Sequence, residues 1–341
     1  MYYTWTWQAE AEEQNGQIIT EEATDNFAYW ITPETPGTYN VNCTVSDEKD
    51  QSETHVFTIQ VRARALEQVD VNSTVLTVEK QGESLLGGAW ISTQSEEILY
   101  ITSKSNQSTS WEGSFETMYV GYSDLTYTLW GSSSANTVIT IQSSGAISTL
   151  PCTTCVSIND ILYTSDILFI GADSGMHRYD PSSLEWSIIK PEKTNAIMLG
   201  EYDIYFATTQ GVYSFDPLYA PSPGMIPVHT GETWAILEVL GDDKTTQDVE
   251  SSNSLTLWHV TEDKVCRNGS ELVSQPPVVA RALDVDIDGN IWCGKYRWDG
   301  SDWWTPPDPD NKLADAVIER VVASTEGRIY FLTASGALFR W

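Results

Sequence analysis

The chain has 341 residues, 18 basic against 48 acidic side chains, a formal net charge of −30, and 41% apolar and 11% aromatic residues. So acidic a surface repels phosphate backbones and anionic lipid, which argues against a nucleic-acid partner, and no stretch approaches the roughly 20 apolar residues that span a bilayer. The length exceeds one hydrophobic core, so two domains are expected, and five cysteines are too few for a disulfide scaffold.

Residues 1–63 carry short strands. Tyr39, Val41, Cys43 and Val45 point one way and Asn40, Asn42 and Thr44 the other, the period of a half-buried strand. The run Trp30, Pro33, Gly37, Tyr39, Val41, Val45, Asp47 resembles the PKD and bacterial immunoglobulin-like domains, which implies a β-sandwich. The usual first strands of that family would precede Tyr3. Met1 leads directly into strand residues without a signal sequence, so any export signal or anchor is expected outside this chain.

From residue 64 onward one phrase recurs. It reads as an apolar strand, a turn at Gly175, Gly211 or Gly336, and a second strand ending in an aromatic: 167–180, 204–216 and 329–341. That is a β-hairpin signature. A shorter-turned copy spans 289–300, and weaker copies start near Ile98, Tyr127 and Leu255. The seven starts at 98, 127, 167, 204, 255, 291 and 329 are 29 to 51 residues apart, bracketing the period of a four-stranded propeller blade. The fold class is therefore all-β, a seven-bladed β-propeller (64–341) behind an N-terminal immunoglobulin-like β-sandwich (1–63). The last copy stops at Trp341, so an upstream segment must complete its blade. Ser73–Glu79 has the alternation to do so and is expected to close the ring as the outer strand of the last blade.

These repeats resemble the two-component-regulator type of propeller repeat, through Asp286 to Gly294 with Trp298, Asp299, Gly300 and Trp303, and through Gly175 to Trp186 with Tyr179 and Asp180. The resemblance implies an extracellular sensor or surface domain and names no ligand.

Candidate sites are few. Trp298, Asp299, Asp302, Trp303 and Trp304 place three indoles and two acids around one turn, where flat rings stack on sugars or partner side chains and acids accept hydroxyl hydrogen bonds. Trp186, Trp292 and Trp341 are assigned instead to packing between blades. Asp284, Asp286 and Asp288 before Gly289 fit either the start of a calcium loop, although Lys295 stands where the bidentate acid belongs, or a plain blade turn. Cys152 and Cys155 are read as a loop disulfide, plain thiols, a redox pair or half a metal site, with no histidine nearby in sequence to complete one. Cys43 is expected as a buried thiol, and Cys266 and Cys293 lie in adjacent repeats where they could pair. Asn42, Asn72, Asn106 and Asn268 fit glycosylation sequons. The segment 241–253 reads as a long exposed loop.

The four histidines, His55, His177, His229 and His259, are scattered through the sequence, and no catalytic motif accompanies them. Three functions follow, in order: a non-catalytic extracellular or cell-surface recognition module binding glycan or protein, a self-assembling component of a surface layer, sheath or filament, and a glycan-active enzyme using channel carboxylates. No resident cofactor is called for beyond the calcium alternative.

Overall fold

In the computed structural model the described residues are 2–9, 17–19, 29–31, 37–46, 52–61, 64–80, 88–102, 106–123, 126–134, 136–216, 225–240 and 255–341. Two compact units divide at Ala65 and Leu66. The expected loop 241–253 and the prolines of the 33–36 run lie outside the described residues.

In the first unit Tyr2–Ala9, Gly37–Ser46 and Ser52–Val61 form a three-stranded antiparallel sheet with Gly37–Ser46 in the middle, and Gln17–Ile19 pairs with Tyr29–Ile31. The alternation read from the sequence is visible in the central strand. Tyr39, Val41 and Cys43 are buried, whereas Asn40 is exposed.

The second unit is all antiparallel strand: seven four-stranded sheets, the blades. Their first strands are Val75–Lys80, Thr117–Ser123, Ile158–Thr164, Thr194–Leu199, Thr233–Leu240, Leu283–Val285 and Ile318–Ala323. Each first strand touches the first strand of the next blade, and the seventh touches the first, so these strands line a closed central channel. Six of the seven recurring starts, at 127, 167, 204, 255, 291 and 329, fall in the second strands of blades two to seven, whereas the start at Ile98 falls in Glu97–Ile101, the third strand of blade one, whose second strand is Ala89–Thr93. A turn follows between second and third strands. At Gly175 and Gly211 the backbone is left-handed, with φ of 120° and 148°, and a Cβ would lie 2.1 Å from Lys190 O and 2.0 Å from His229 O. Only glycine fits there.

Seven hydrophobic clusters fill the seven gaps between blades. The gap between blades six and seven holds Trp292, Phe331 and Trp341, as expected for aromatics of the repeat. The gap between blades four and five is the thinnest, with Ala207, Val212, Ile236 and Leu257 as its buried members.

Ring closure differs from the expectation. Val75–Lys80 does not complete the last blade: it is the innermost strand of blade one. The outer strand of blade seven is the two-residue strand Glu67–Gln68, in register with Arg340 and Phe339. The recurring phrase is the second and third strand of a blade, so each copy needs a first strand upstream, and 73–79 supplies it for blade one. Val69 N and Val75 N then donate to Leu338 O and Gly336 O at 2.9 and 3.0 Å, holding the intervening segment along blade seven.

Candidate functional site at the channel mouth

Five first strands carry a β-bulge near their start, and the extra residues are Leu76, Asn159, Asn195, Trp234 and Glu319. A bulge bends its strand and re-aims one side chain. Asn159, Asn195, Trp234 and Glu319 are thereby brought to one cavity of about 390 Å³, whose walls include Lys80, Asp160, Arg281, Asp284 and Arg320.

Two carboxylates deeper in this cavity hold the blades together. Asp160 accepts from Ile161 N at 2.9 Å and from Ile197 N of the next blade at 2.8 Å. Asp284 repeats this between blades six and seven, accepting from Val285 N at 2.9 Å and Ala323 N at 2.8 Å. Higher up, Asn159 Nδ2 donates to Thr194 O and Asn195 Nδ2 to Thr233 O, each carbonyl belonging to the following blade.

Other ties skip a blade and so cross the channel itself. Lys80 of blade one pairs with Asp284 of blade six at 2.8 Å, and Arg320 of blade seven donates to Thr117 of blade two at 2.9 Å. Among these groups burial pushes the Glu79 carboxyl up to about 7, although the positive charges of Arg320 and Lys80 pull the other way. Burial also raises Asp160, tempered by Arg320 and by the amides of Ile197 and Ile161. Tyr119, on the wall between them, is pushed up to about 12 by burial and by the two carboxylates. The channel is thus crossed by a charged network in a poorly solvated space, where each interaction is stronger than in water.

At the mouth the Arg281 guanidinium lies 3.4 Å above the Trp234 ring. Arg281 is exposed and Trp234 half-buried, and the Trp234 indole N–H has no partner among the described residues. An aromatic face, an exposed guanidinium, two asparagines and the Glu319 carboxylate therefore surround one concavity. That chemistry suits a polar ligand with a flat or ring-shaped face.

The residues singled out from sequence lie elsewhere. The Trp298–Trp304 turn joins the two outer strands of blade six. Trp298 is buried with its ring 5.4 Å from Trp303, and Trp304 packs on Trp341 at 5.4 Å with Arg297 over its other side at 4.4 Å. Trp303 and Trp304 thus serve opposite faces of the sheet, one toward each neighbouring blade. Asp299 caps the turn by accepting from Ser301 N, Ser301 Oγ and Asp302 N, each at 2.9 Å. Trp303 also lines a second cavity of about 570 Å³ with Tyr296, Pro306 and Pro307.

Asp284, Asp286 and Asp288 do not share a centre. Asp284 serves the channel. Asp286 gathers the amides of Asp288 and Asn290, the Asn290 side chain and the Trp292 indole N–H at 2.9 to 3.0 Å, so this stretch builds a carboxylate-centred turn tied to the following strand. Of the sequons, Asn72 and Asn268 are exposed, Asn42 is half-buried and Asn106 opens the outer strand of blade one. Asn268 Oδ1 accepts from Leu257 N at 2.9 Å.

Cys152 and Cys155 form a disulfide, while Cys43, Cys266 and Cys293 are separate buried thiols, so Cys266 and Cys293 do not pair. Burial pushes Cys293 up to about 12. Histidines scattered in sequence meet in space. His229 and His259 lie 4.2 Å apart between blades four and five, and His177 sits beside the Cys152–Cys155 loop, correcting the expectation that no histidine approaches it.

Sequence reading missed the mouth residues. Their signal was weak but present: Asn159, Asn195 and Trp234 each sit second in a first strand, and Asp160 and Asp284 share one offset before their blades' second strands.

No protein-family model matches the chain, and no curated protein does. Its likeness is to solved structures. The extracellular domain assigned to a hybrid two component system of B. thetaiotaomicron gives a TM-score of 0.55 at 15% identity, over 81% of this chain and 39% of that one. A streptogramin B lyase gives 0.55 at 11% identity over 81% and 96%, and PorZ, a surface component of the type-IX secretion system of Porphyromonas gingivalis, gives 0.51 at 10% over 81% and 37%. At such identities the likeness is one of fold, and it places this chain among the seven-bladed β-propellers. The chain spans about two fifths of the length of the extracellular domains it matches.

Proposed function

We propose that the chain is a non-catalytic recognition module displayed outside the cell, and that its ligand, a glycan, binds at the channel mouth over Trp234. The carrying observation is the bulge-presented set Asn159, Asn195, Trp234 and Glu319 around one cavity with Arg281 stacked on the indole. Arg281 covers the ring face on which a sugar would stack and is itself exposed, so it can swing aside and donate to ligand oxygens. An extracellular setting is supported by the acidic surface, by sequons at exposed Asn72 and Asn268, and by neighbours of this fold described as extracellular or surface components. The two-component-regulator type of repeat is read from the Asp286–Trp292 bonding pattern, and the PKD-like sandwich from the alternating strand Gly37–Ser46.

A glycan array followed by calorimetry on the hits tests this. Trp234→Ala is expected to weaken binding by about tenfold or more, the scale of one lost aromatic–ring contact, while Trp303→Ala leaves it unchanged. Retained binding in Trp234→Ala with loss in Trp303→Ala would move the site to the turn of blade six. Binding to no glycan, with regular self-assemblies in negative stain, would overturn the proposal in favour of a structural component.

One observation favours a second reading. Glu79, raised to about 7 within reach of the Asp160 charge, has the poise of a general acid. Polysaccharide depolymerisation that disappears in Glu79→Gln would establish a glycan-active enzyme.

A further inference from the structure

Cys152 and Cys155 lie in the connection from blade two to blade three, and His177 is on the third strand of blade three. The two sulfurs and a ring nitrogen of His177 all lie within 4.8 Å of one another, and all three residues are buried. His177 is fully enclosed, and burial lowers its affinity for a proton.

The hydrogen bonds around the ring fix its tautomer. Ser174 Oγ donates its one proton to Thr154 O at 3.0 Å and accepts from Val156 N at 3.0 Å. Its contact with His177 Nε2 at 2.9 Å must therefore be a bond donated by the ring. Nε2 carries the proton. Nδ1 keeps its lone pair, now accepting from Thr154 Oγ at 3.1 Å, and Thr154 is a residue of the Cys152–Cys155 loop. An imidazole with Nε2 anchored by a donor bond and a ring nitrogen within 4.8 Å of two sulfurs resembles metal sites, where the outer partner sets ring orientation and ligand basicity.

We propose that Cys152, Cys155 and His177 form a thiol-gated site for Zn²⁺, closed as the disulfide seen here and opened by two-electron reduction. A phosphine or dithiol delivers the electrons and the sulfur–sulfur bond breaks. The sulfurs take up two protons, and the reductant leaves as phosphine oxide, its oxygen drawn from water, or as a cyclic disulfide. Zn²⁺ then binds both sulfurs as thiolates, releasing those two protons, with His177 Nδ1 as third ligand. Two sulfurs and one nitrogen suit a tetrahedral ion with one position left for water or the Thr154 hydroxyl, which sits 3.8 Å from Cys152 Sγ.

The test uses the full chain, reduced with a phosphine that does not itself chelate zinc. Equilibrium dialysis should give one Zn²⁺ per reduced chain and none per oxidised chain beyond that of Cys152→Ser/Cys155→Ser. Co²⁺ should give thiolate charge-transfer bands and the intense visible absorption of a tetrahedral ion. His177→Gln should weaken binding at least about tenfold while the far-ultraviolet circular dichroism stays unchanged. If the double serine variant does not fold, alkylation of reduced wild-type protein replaces it: Zn²⁺ should slow modification of Cys152 and Cys155, read by peptide mass. Equal zinc uptake by oxidised and reduced protein, undiminished affinity in His177→Gln, or alkylation indifferent to Zn²⁺ would each overturn the site.

Discussion

Replacing Glu79 with glutamine should change how stability depends on pH, and by a predictable amount. In the folded chain burial pushes this carboxyl from its ordinary value of 4.5 up to about 7. The displacement corresponds to at most about 3 kcal/mol. Between those two values the folded chain binds more protons at Glu79 than the unfolded chain, so this residue makes stability fall as pH rises through the window. His259 acts the other way. Burial, with the nearby His229, lowers it from 6.5 to about 4, so the unfolded chain binds more protons there and stability rises with pH between 4 and 6.5. In wild-type protein the two slopes oppose each other over most of that range. Glu79→Gln removes one, so the variant should gain stability steadily from pH 4 to 6.5. Its advantage over wild type should grow from near zero at pH 4 to about 3 kcal/mol at pH 8. Urea unfolding followed by tryptophan fluorescence across this pH series measures the difference. A constant offset between the two proteins at every pH would refute the channel assignment of Glu79.

Other substitutions probe the frame. Asp284→Ala removes the acceptor for the buried Ala323 amide and leaves Lys80 without its 2.8 Å partner; unfolding free energy should drop by about 2–3 kcal/mol, with Lys80 part-exposed and so only partly stranded. Trp292→Ala should cost about 3–5 kcal/mol through the cavity it leaves between blades six and seven, and Trp292→Phe only about 1–2 kcal/mol, mainly the lost bond to Asp286; calorimetric midpoints rank the two. A chain beginning at Leu66 should keep a cooperative propeller transition. One beginning at Thr74 loses the buried Leu66 and Val69 and the partner of Phe339, and should lose about 3–6 kcal/mol and expose an aggregating edge, seen by light scattering.

Much of the propeller is legible before any coordinates. Period-two alternation and the turn glycines Gly175, Gly211 and Gly336 are local properties, so the hairpins at 167–180, 204–216 and 329–341 could be read directly, and counting the copies of the phrase counts the blades. The Asp286–Trp292 pattern is local too: one carboxylate collects its own turn and the indole six residues on. What escaped were the first strands. Several are short or interrupted by a bulge, which shifts the alternation by one residue and hides it. The alternation of 73–79 is legible, but its blade is not: the recurring phrase shows only the middle pair of strands of each blade and leaves open which blade an upstream strand completes.

Sequence alone thus determined the repeating unit, the number of blades and the interblade role of Trp292 and Trp341, because each follows from contacts made within a few tens of residues. Only the tertiary structure decided which strand closes the ring, that Trp234 and Arg281 meet at the channel mouth, that Lys80 reaches Asp284 and Arg320 reaches Thr117 across it, and that His177 stands beside Cys152 and Cys155. Apart from His177, which follows the two cysteines by 22 and 25 residues, those residues are distant in sequence and belong to different blades. Their meeting is set by closure of the ring, which places the starts of the first strands together at one end of the channel.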